Sequence, residues 1–205
     1  MRDVTLLISH PDDEALFCWP VLDRVKRIIC ASNDSANMSR KWCSERGKSL
    51  DEVGELLGAD VIQLQADSEF YRMPTRDGTL KRHCETLLRH LADAEIVFTH
   101  NAWGEYGNLD HILMHHIGRV WQKETRRELL VSDIAVTEAP AWIPVTPWMQ
   151  APIAQAVMWE KENEKRYSHV IDRPLYDRIK AIYDARACWT WSFPVVERAR
   201  VYSLC

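Results

Sequence analysis

Residues 4–14 read V-T-L-L-I-S-H-P-D-D-E, a short apolar run that ends in a histidine and three carboxylates. Residues 4–8 are typical of a strand that is buried on both faces. Because both faces of such a strand must be covered, the stretch predicts a parallel sheet with helices on either side. The polar residues then lie at the carboxyl end of the strand, where sites form in sheets of this kind.

The rest of the chain repeats this alternation of short apolar strands and amphipathic helices. We predict further strands at 27–31, 61–64, 95–99, 129–136 and 199–204, and helices at 13–19, 42–57, 80–92, 110–123 and 175–187. Gly58 is a suitable C-terminal cap for the second helix, and Pro20 is expected to stop or kink the first. The alternation predicts an α/β fold, a Rossmann-like three-layer sandwich with a mostly parallel central sheet and helices on both faces.

Length and composition restrict the class of protein. With 205 residues, of which 46% are hydrophobic and 27% charged, the chain suits a single globular domain over residues 1–205. The net charge of -4 gives no basic surface for nucleic acid. No apolar run approaches the roughly 20 residues of a transmembrane segment, and residues 4–9 are no signal peptide, so we expect a cytoplasmic protein. The oligomeric state stays open, and a homo-oligomer is compatible with the sequence.

Burial in the core explains the numbers of cysteines and tryptophans better than metal or sugar binding does. The six cysteines form no CxxC pair, which argues against a disulfide framework and against a zinc site built from thiolates. Nine tryptophans are many for this length, and their flat faces suit sugar rings, but we favour a core position for any single one. Residues 140–152 hold four prolines and two tryptophans, which predicts a loop or cover.

The first polar cluster, residues 10–14, has a structural and a functional interpretation. Asp12 or Asp13 can cap the following helix, and Glu14 suits its first turn. Capping does not explain a histidine before a proline, or two adjacent aspartates. In the functional interpretation, His10 and one aspartate bind a metal, while the other aspartate points elsewhere and takes a proton from water.

A second polar loop, residues 100–111, follows the predicted strand 95–99 and contributes a further ligand. His111 lies in the first turn of the predicted helix 110–123, and His115 follows one turn later, a spacing that can bind zinc. We favour His111, because His115 and His116 lie a turn deeper. Two histidines, one aspartate and an open position form a catalytic rather than a structural zinc set. Asp110 is expected to cap the helix rather than to orient a ligand.

The two loops together resemble the PIG-L / LmbE-like family of zinc-dependent N-deacetylases, which act on amino-sugar conjugates. The resemblance rests on S-H-P-D-D-E at 9–14 and T-H-N-A-W-G-E-Y-G-N-L-D-H at 99–111. It implies Asp12 as the general base. It also implies a Zn²⁺ ion, or another divalent metal such as Fe²⁺, on His10, Asp13 and His111.

The substrate side of the site depends on the second loop. The resemblance implies that Tyr106 lies near the substrate, and we expect Trp103 and Asn101 to contact it as well. Asn108 stands where the family often has a histidine that helps to stabilise the oxyanion. An asparagine can still donate a hydrogen bond there, but it cannot carry a charge or pass on a proton. The structural alternative for Asn108 is a helix N-cap.

The resemblance implies hydrolysis of an N-acyl group from an amino sugar or its conjugate, with N-acetyl as the leading candidate. The partner is then a small molecule, and the sequence does not identify the sugar. The alternative function is that of a catalytically weak or silent sugar-binding protein of the same fold. Asn108 favours this alternative, and the intact ligand and base residues oppose it. A nucleotide-binding protein is disfavoured, because no glycine-rich turn follows the first strand.

Overall fold

A computed structural model describes residues 3–32, 38–64, 78–134, 165–192 and 194–204. The strands in these ranges are β1 (Val4–Ile8), β2 (Val25–Cys30), β3 (Asp60–Gln63), β4 (Ile96–Thr99), β5 (Glu128–Ser132), β6 (Lys165–Val170) and β7 (Arg198–Leu204). They form one sheet in the order β3-β2-β1-β4-β5-β7-β6. The first five strands are parallel, whereas β7 is antiparallel to both β5 and β6.

Helices cover both faces of this sheet. They are α1 (Asp13–Leu16), α2 (Arg40–Leu57), α3 (Thr79–Leu91), α4 (Gly104–Gly107), α5 (Leu109–Thr125) and α6 (Arg173–Asp184), with a 3₁₀ helix at Trp19–Arg24. The predicted α/β class, with a mostly parallel sheet between two helical layers, is confirmed. Within the described ranges, no helix combines the length and the apolar composition that crossing a bilayer requires.

The two faces of β1 contribute to two separate apolar clusters. Leu6 packs in the cluster that includes Leu50 of α2 and Ile179 of α6. Its neighbour Leu7 packs in the second cluster, with Met114 of α5 and residues of α3. All five residues of β1 are buried, which explains why its sequence is an unbroken run without polar alternation.

The helix ends follow local sequence signals, with one exception. Gly58 ends α2 in the left-handed conformation, with φ at 65°, as the sequence predicts. The helix predicted at 13–19 is shorter, because α1 ends at Leu16. Pro20 lies in the first turn of the 3₁₀ helix, where a missing N–H group leaves no carbonyl unpaired. Pro20 therefore helps to begin the next element rather than only ending the previous one.

The edge strand β6 was not predicted from the sequence. Its residues 165–170 read K-R-Y-S-H-V, and Tyr167 and Val170 are exposed, so the strand lacks the apolar pattern of a buried one. Among the described strands, it pairs with β7 alone. The strand predicted at 129–136 ends earlier, at Ser132. The predicted loop at 140–152 lies outside the described residues.

Gly54 determines how closely α2 approaches β3. A Cβ atom at Gly54 would lie 2.3 Å from Cγ2 of Val61 and 3.0 Å from the backbone oxygen of Ala59. We therefore expect Gly54→Ala to lower the free energy of unfolding by about 1–3 kcal/mol, the usual cost of an overpacked site. Urea unfolding followed by circular dichroism measures this change.

Val61→Ala provides the matched control, because it removes the closest atom of the clash. In a Gly54→Ala/Val61→Ala double variant, the penalty of the glycine substitution should be smaller than in the wild-type background. A Gly54→Ala protein as stable as the wild type would contradict the close packing of α2 on β3.

Candidate metal centre

The two polar loops meet because β1 and β4 are neighbouring parallel strands. Leu7 of β1 pairs with Thr99 of β4, so the two strands end at the same edge of the sheet. The loops are joined directly, since the backbone N–H of Ser9 donates to Nε2 of His100 at 3.2 Å. The residues predicted to act together are therefore brought together, with α1 and α5 beginning on either side.

His10, Asp13 and His111 form a group whose candidate ligand atoms all lie within 4.8 Å of one another. Nε2 of His111 is buried and has no hydrogen-bond partner among the described residues. It lies 3.4 Å from Oδ1 of Asp13. A buried ring nitrogen without a partner is costly in a folded protein unless a ligand completes it. The donor set of two imidazoles and one carboxylate fits a divalent metal.

Glu105 fixes the orientation of the His111 ring. Its Oε2 atom lies 2.7 Å from Nδ1 of His111 and 3.1 Å from Nδ1 of His100. Burial alone would raise the pKa of Glu105, but the charges and hydrogen bonds of the two histidines hold it at about 2. An ionised carboxylate can only accept, so Nδ1 of His111 donates to Glu105, and Nε2 is the ring atom left for a metal, which would displace any proton held there.

His100, Glu105 and His111 also form a second group of potential ligands. The rings of His100 and His111 stack with centroids 3.8 Å apart, and Glu105 bonds to both. These contacts already use the nitrogens that face Glu105, so we interpret this group as the support of the first one. Neither His100 nor Glu105 was identified from the sequence. The available signal was an acidic residue between two histidines in one loop.

The two adjacent aspartates point in different directions because the backbone of Asp12 is left-handed, with φ at 87°. Its N–H donates to Oε2 of Glu14 and to the hydroxyl of Tyr183, each at 2.9 Å. Asp12 occupies the N-cap position of α1, but its side chain makes no capping bond to the described residues. The structural interpretation of this residue as a cap is therefore wrong.

The carboxylate of Asp12 is buried and held from two sides. Its Oδ1 accepts from Nη2 of Arg46 at 2.6 Å, and its Oδ2 accepts from Oγ1 of Thr190 at 2.5 Å. Burial raises the pKa of Asp12, and the positive charge of Arg46 opposes this rise without cancelling it.

Asp13 has the opposite electrostatic environment. Burial alone would raise its pKa, but the charges of His111 and His100 lower it well below the usual value. Its Oδ2 also accepts from the backbone N–H of His10 at 2.7 Å. Two neighbouring carboxyl groups whose pKa values are displaced in opposite directions suit two different tasks.

Asn108, rather than Asp110, is the N-cap of α5. Its Oδ1 accepts from the N–H groups of Asp110 and His111, at 2.9 and 3.4 Å. Its Nδ2 donates to the hydroxyl of Tyr106 at 3.0 Å. Oδ2 of Asp110 instead lies 3.3 Å from Nε2 of His10, so the expectation of a capping Asp110 is wrong. An oxyanion role for Asn108 stays a prediction.

His115 does not belong to either group of potential ligands. It is buried one turn further along α5, and its Nδ1 lies 3.0 Å from the carbonyl oxygen of His100. Burial lowers the pKa of His115 to about 4. A neutral ring in contact with the backbone is what a core position requires, and this supports the choice of His111 over His115.

Three aromatic rings lie together on the side of His111, one of the three potential metal ligands. The rings of Tyr106 and Phe17 each lie with their centroids 5.4 Å from that of His111. Trp191 contacts both, with its centroid 5.8 Å from that of Tyr106 and 5.6 Å from that of Phe17. Tyr106 was singled out from the sequence, whereas Phe17 and Trp191 were not.

Trp103 and Asn101, the other two predicted substrate contacts, are both buried. The amide of Asn101 donates to the carbonyl oxygens of Ser132 and Ile134 and accepts from the N–H of Glu105. Asn101 therefore connects the second loop to the end of β5. Contact of these two residues with a substrate stays a prediction.

Comparison with solved structures identifies the fold but not the reaction. The A40926 pseudoaglycone deacetylase Dbv21 is 12% identical, with a TM-score of 0.60 over 98% of this chain and 96% of that one. N,N'-diacetylchitobiose deacetylase from Pyrococcus horikoshii is 14% identical, with a TM-score of 0.56 over 92% and 71%. The 4-carboxy-2-hydroxymuconate hydratase GalB from Pseudomonas putida KT2440 is 15% identical, with a TM-score of 0.52 over 100% and 97%. Since a hydratase has this fold too, the fold alone does not fix the chemistry.

Comparison at the level of families is more decisive. No curated protein matches the sequence. The family model described as PIG-L: GlcNAc-PI de-N-acetylase matches residues 5–121, which include both loops of the metal group. Because this match covers more than half of the chain, the chain belongs to the PIG-L family, as the resemblance implied.

Proposed function

We propose that this chain is a metal-dependent hydrolase that removes an N-acyl group from an amino sugar or an amino-sugar conjugate. The leading candidate for the acyl group is N-acetyl. The observation that carries the proposal is the buried Nε2 of His111, unpartnered among the described residues, beside the carboxylate of Asp13. Family membership gives the reaction class, and the ligand geometry supports a functional rather than a vestigial site.

His10, Asp13 and His111 are the proposed ligands, and zinc is the proposed metal. Two imidazoles and one carboxylate also suit Fe²⁺, so the set selects borderline divalent metals rather than calcium or magnesium. A bound zinc ion lowers the pKa of a water molecule to roughly 7 and polarises a carbonyl oxygen.

Asp12 is the proposed general base. It takes a proton from the attacking water and returns it to the leaving amine when the amide C–N bond breaks. The products are then a carboxylic acid and the free amino sugar. Arg46 and Thr190 hold the two oxygens of Asp12, so the carboxylate is oriented before substrate arrives.

The substrate proposed for this site is a small molecule with a sugar ring. Tyr106 and Trp191 are half-buried and offer aromatic surface beside the proposed ligands, with the buried Phe17 packed against both. Such surfaces pack well against the apolar side of a sugar. Solved structures of this fold include the A40926 pseudoaglycone deacetylase, a deacetylase of the teicoplanin biosynthesis pathway and N,N'-diacetylchitobiose deacetylase. N,N'-diacetylchitobiose and the A40926 pseudoaglycone are therefore the first compounds to assay. We further propose one domain over residues 1–205, because strands from both halves of the chain share one sheet.

One observation favours the alternative of a silent sugar-binding protein. Oδ1 of Asn108 already accepts a hydrogen bond as the N-cap of α5, and Nδ2 of Asn108 donates to the hydroxyl of Tyr106. An amide nitrogen carries two hydrogens, however, so one remains for an oxyanion. The base and the ligands are intact, and the enzyme is therefore the better supported of the two functions.

Release of acetate from N-acetylated amino sugars tests the proposal directly. We expect the zinc-loaded protein to release acetate from at least one member of a panel of such compounds, and the chelator-treated protein to release none. His111→Ala should lose the metal as measured by atomic emission, because two ligands remain. Asp12→Asn should retain the metal and lose about 10²–10⁴ in kcat, the usual contribution of a general base.

Glu85→Gln on the exposed face of α3 is the matched control for the loss of a carboxylate. It should keep both the metal and the activity. If Asp12→Asn lost the metal while Asp13→Asn retained it, the roles of the two aspartates would be reversed. A metal-loaded protein that bound N-acetylated sugars and released no acetate would favour the silent binding protein.

The two roles of Asn108 separate in a pair of variants. Asn108→Ala should lower the free energy of unfolding by about 1 kcal/mol, because the N-cap of α5 is lost. Asn108→Asp should keep the cap and the stability, since aspartate is an equally good N-cap. If Asn108 also donates to the oxyanion, both variants should lose about 10²–10³ in kcat, with unchanged metal content. A stable Asn108→Asp protein with full kcat would contradict the catalytic role.

A further inference from the structure

The segment after α6 returns to the loop that follows β1. Thr190 in this segment is exposed, yet its hydroxyl Oγ1 donates to Oδ2 of Asp12 at 2.5 Å. Asp12 is only 1% exposed, and its other oxygen accepts from Arg46. A residue at the surface therefore reaches into the site and holds one oxygen of a buried carboxylate, 178 positions away in the sequence.

The neighbours of Thr190 are anchored to the scaffold. The carbonyl oxygen of Ala187 accepts from Nε1 of Trp42 at 3.1 Å. Sγ of Cys188 lies 3.3 Å from Oγ of Ser49, and the N–H of Cys188 donates to the carbonyl oxygen of Tyr183 at 3.1 Å. These contacts come from α2 and α6, two elements of the same face of the sheet. They fix the position of the backbone that carries Thr190.

The same tryptophan also contacts the other partner of Asp12. The guanidinium carbon of Arg46 lies 5.3 Å from the centre of a Trp42 ring. Trp42 therefore touches Arg46 through its face and the segment of Thr190 through its indole N–H. Arg46 belongs to α2, and the segment that carries Thr190 is anchored on the same helix through Ala187 and Cys188, so α2 helps to position both groups that hold Asp12.

Packing does not account for the Thr190 hydroxyl. An exposed threonine can bond to water, so its hydroxyl has no need of a protein partner. A buried carboxylate does need partners on both oxygens. Arg46 can only donate, whereas a hydroxyl can donate to the ionised carboxylate and accept from the protonated one. Thr190 can therefore hold Oδ2 in place on either side of a proton transfer.

We propose that Thr190 is a positioning residue for Asp12, which it holds in the orientation that the reaction needs. The inference rests on the proposed function of Asp12 as the general base. Thr190 lies outside residues 5–121, so the family model does not contain it. The proposed role of Thr190 therefore gives the C-terminal part of the chain a task in catalysis.

Thr190→Val and Thr190→Ser test the inference, because valine keeps the shape without the hydroxyl and serine keeps the hydroxyl. Thr86→Val at a half-buried position of α3 is the matched control. Among the described residues its hydroxyl bonds only within that helix, donating to the carbonyl oxygen of Arg82 and accepting from Nη2 of Arg89. The measurements are kcat, KM, metal content and thermal unfolding, on the best substrate of the acetate-release panel. Metal content and unfolding report on the fold and the ligands independently of activity.

We expect Thr190→Val to lower kcat about 10- to 100-fold, the usual effect of removing a partner of an active group. KM and metal content should stay within about twofold, because neither the substrate surface nor the ligands change. Thr190→Ser should recover most of the kcat. In an Asp12→Asn background, Thr190→Val should have no further effect on kcat, because the two changes act on one group.

If the wild type is active and Thr190→Val is equally active, the inference about Thr190 is overturned, whereas the proposed function is not. Equal losses in the valine and serine variants would also overturn the inference, because they would indicate packing rather than the hydroxyl. A loss confined to KM would do the same. A metal-loaded wild type that releases no acetate from the panel would overturn the proposed function, and the inference with it.

Discussion

The candidate site depends on the carboxylate of Glu105, which binds the Nδ1 atoms of His111 and His100. This contact directs Nε2 of His111 toward Asp13. Glu105 has a positive φ of 55°, a conformation that non-glycine residues avoid and that the surrounding structure must enforce. Asn101 enforces it, because its side chain accepts from the N–H of Glu105 and its backbone N–H donates to Oε1 of the same residue.

The orientation of a metal ligand is in this way connected to the sheet. The amide of Asn101 donates to the carbonyl oxygens of Ser132 and Ile134, at the end of β5. Three neighbouring strands therefore take part: β1 leads to the aspartates, β4 leads to Asn101, and β5 holds Asn101 in place. Asp12 and Glu105 are the two non-glycine residues with positive φ in the loops of the site. This backbone conformation directs their side chains differently from those of the neighbouring residues. Strain of this kind is typical of functional sites.

Much of this arrangement follows from local sequence patterns, and the rest depends on contacts between distant residues. The alternation of short apolar strands and amphipathic helices predicted the sheet. The loops at 9–14 and 99–111 pointed to one polar cluster, and the family resemblance selected His10, Asp13 and His111 within it. Thr190 could not be predicted, because its contact with Asp12 spans 178 positions and depends on a backbone that α2 and α6 hold. The edge strand β6 gave no pattern, because a strand with one neighbour and exposed side chains needs no apolar face.

The central claim is that Glu105 leaves Nε2 of His111 as a metal ligand, and anomalous diffraction from zinc-loaded crystals tests it most directly. The account predicts one anomalous peak at about 2.0–2.2 Å from Nε2 of His111, from a carboxylate oxygen of Asp13 and from a ring nitrogen of His10. Nδ1 of His111 should remain bonded to Glu105. A peak between Glu105 and the Nδ1 atoms of His100 and His111 would contradict the account, because the supporting residues would then be the ligands.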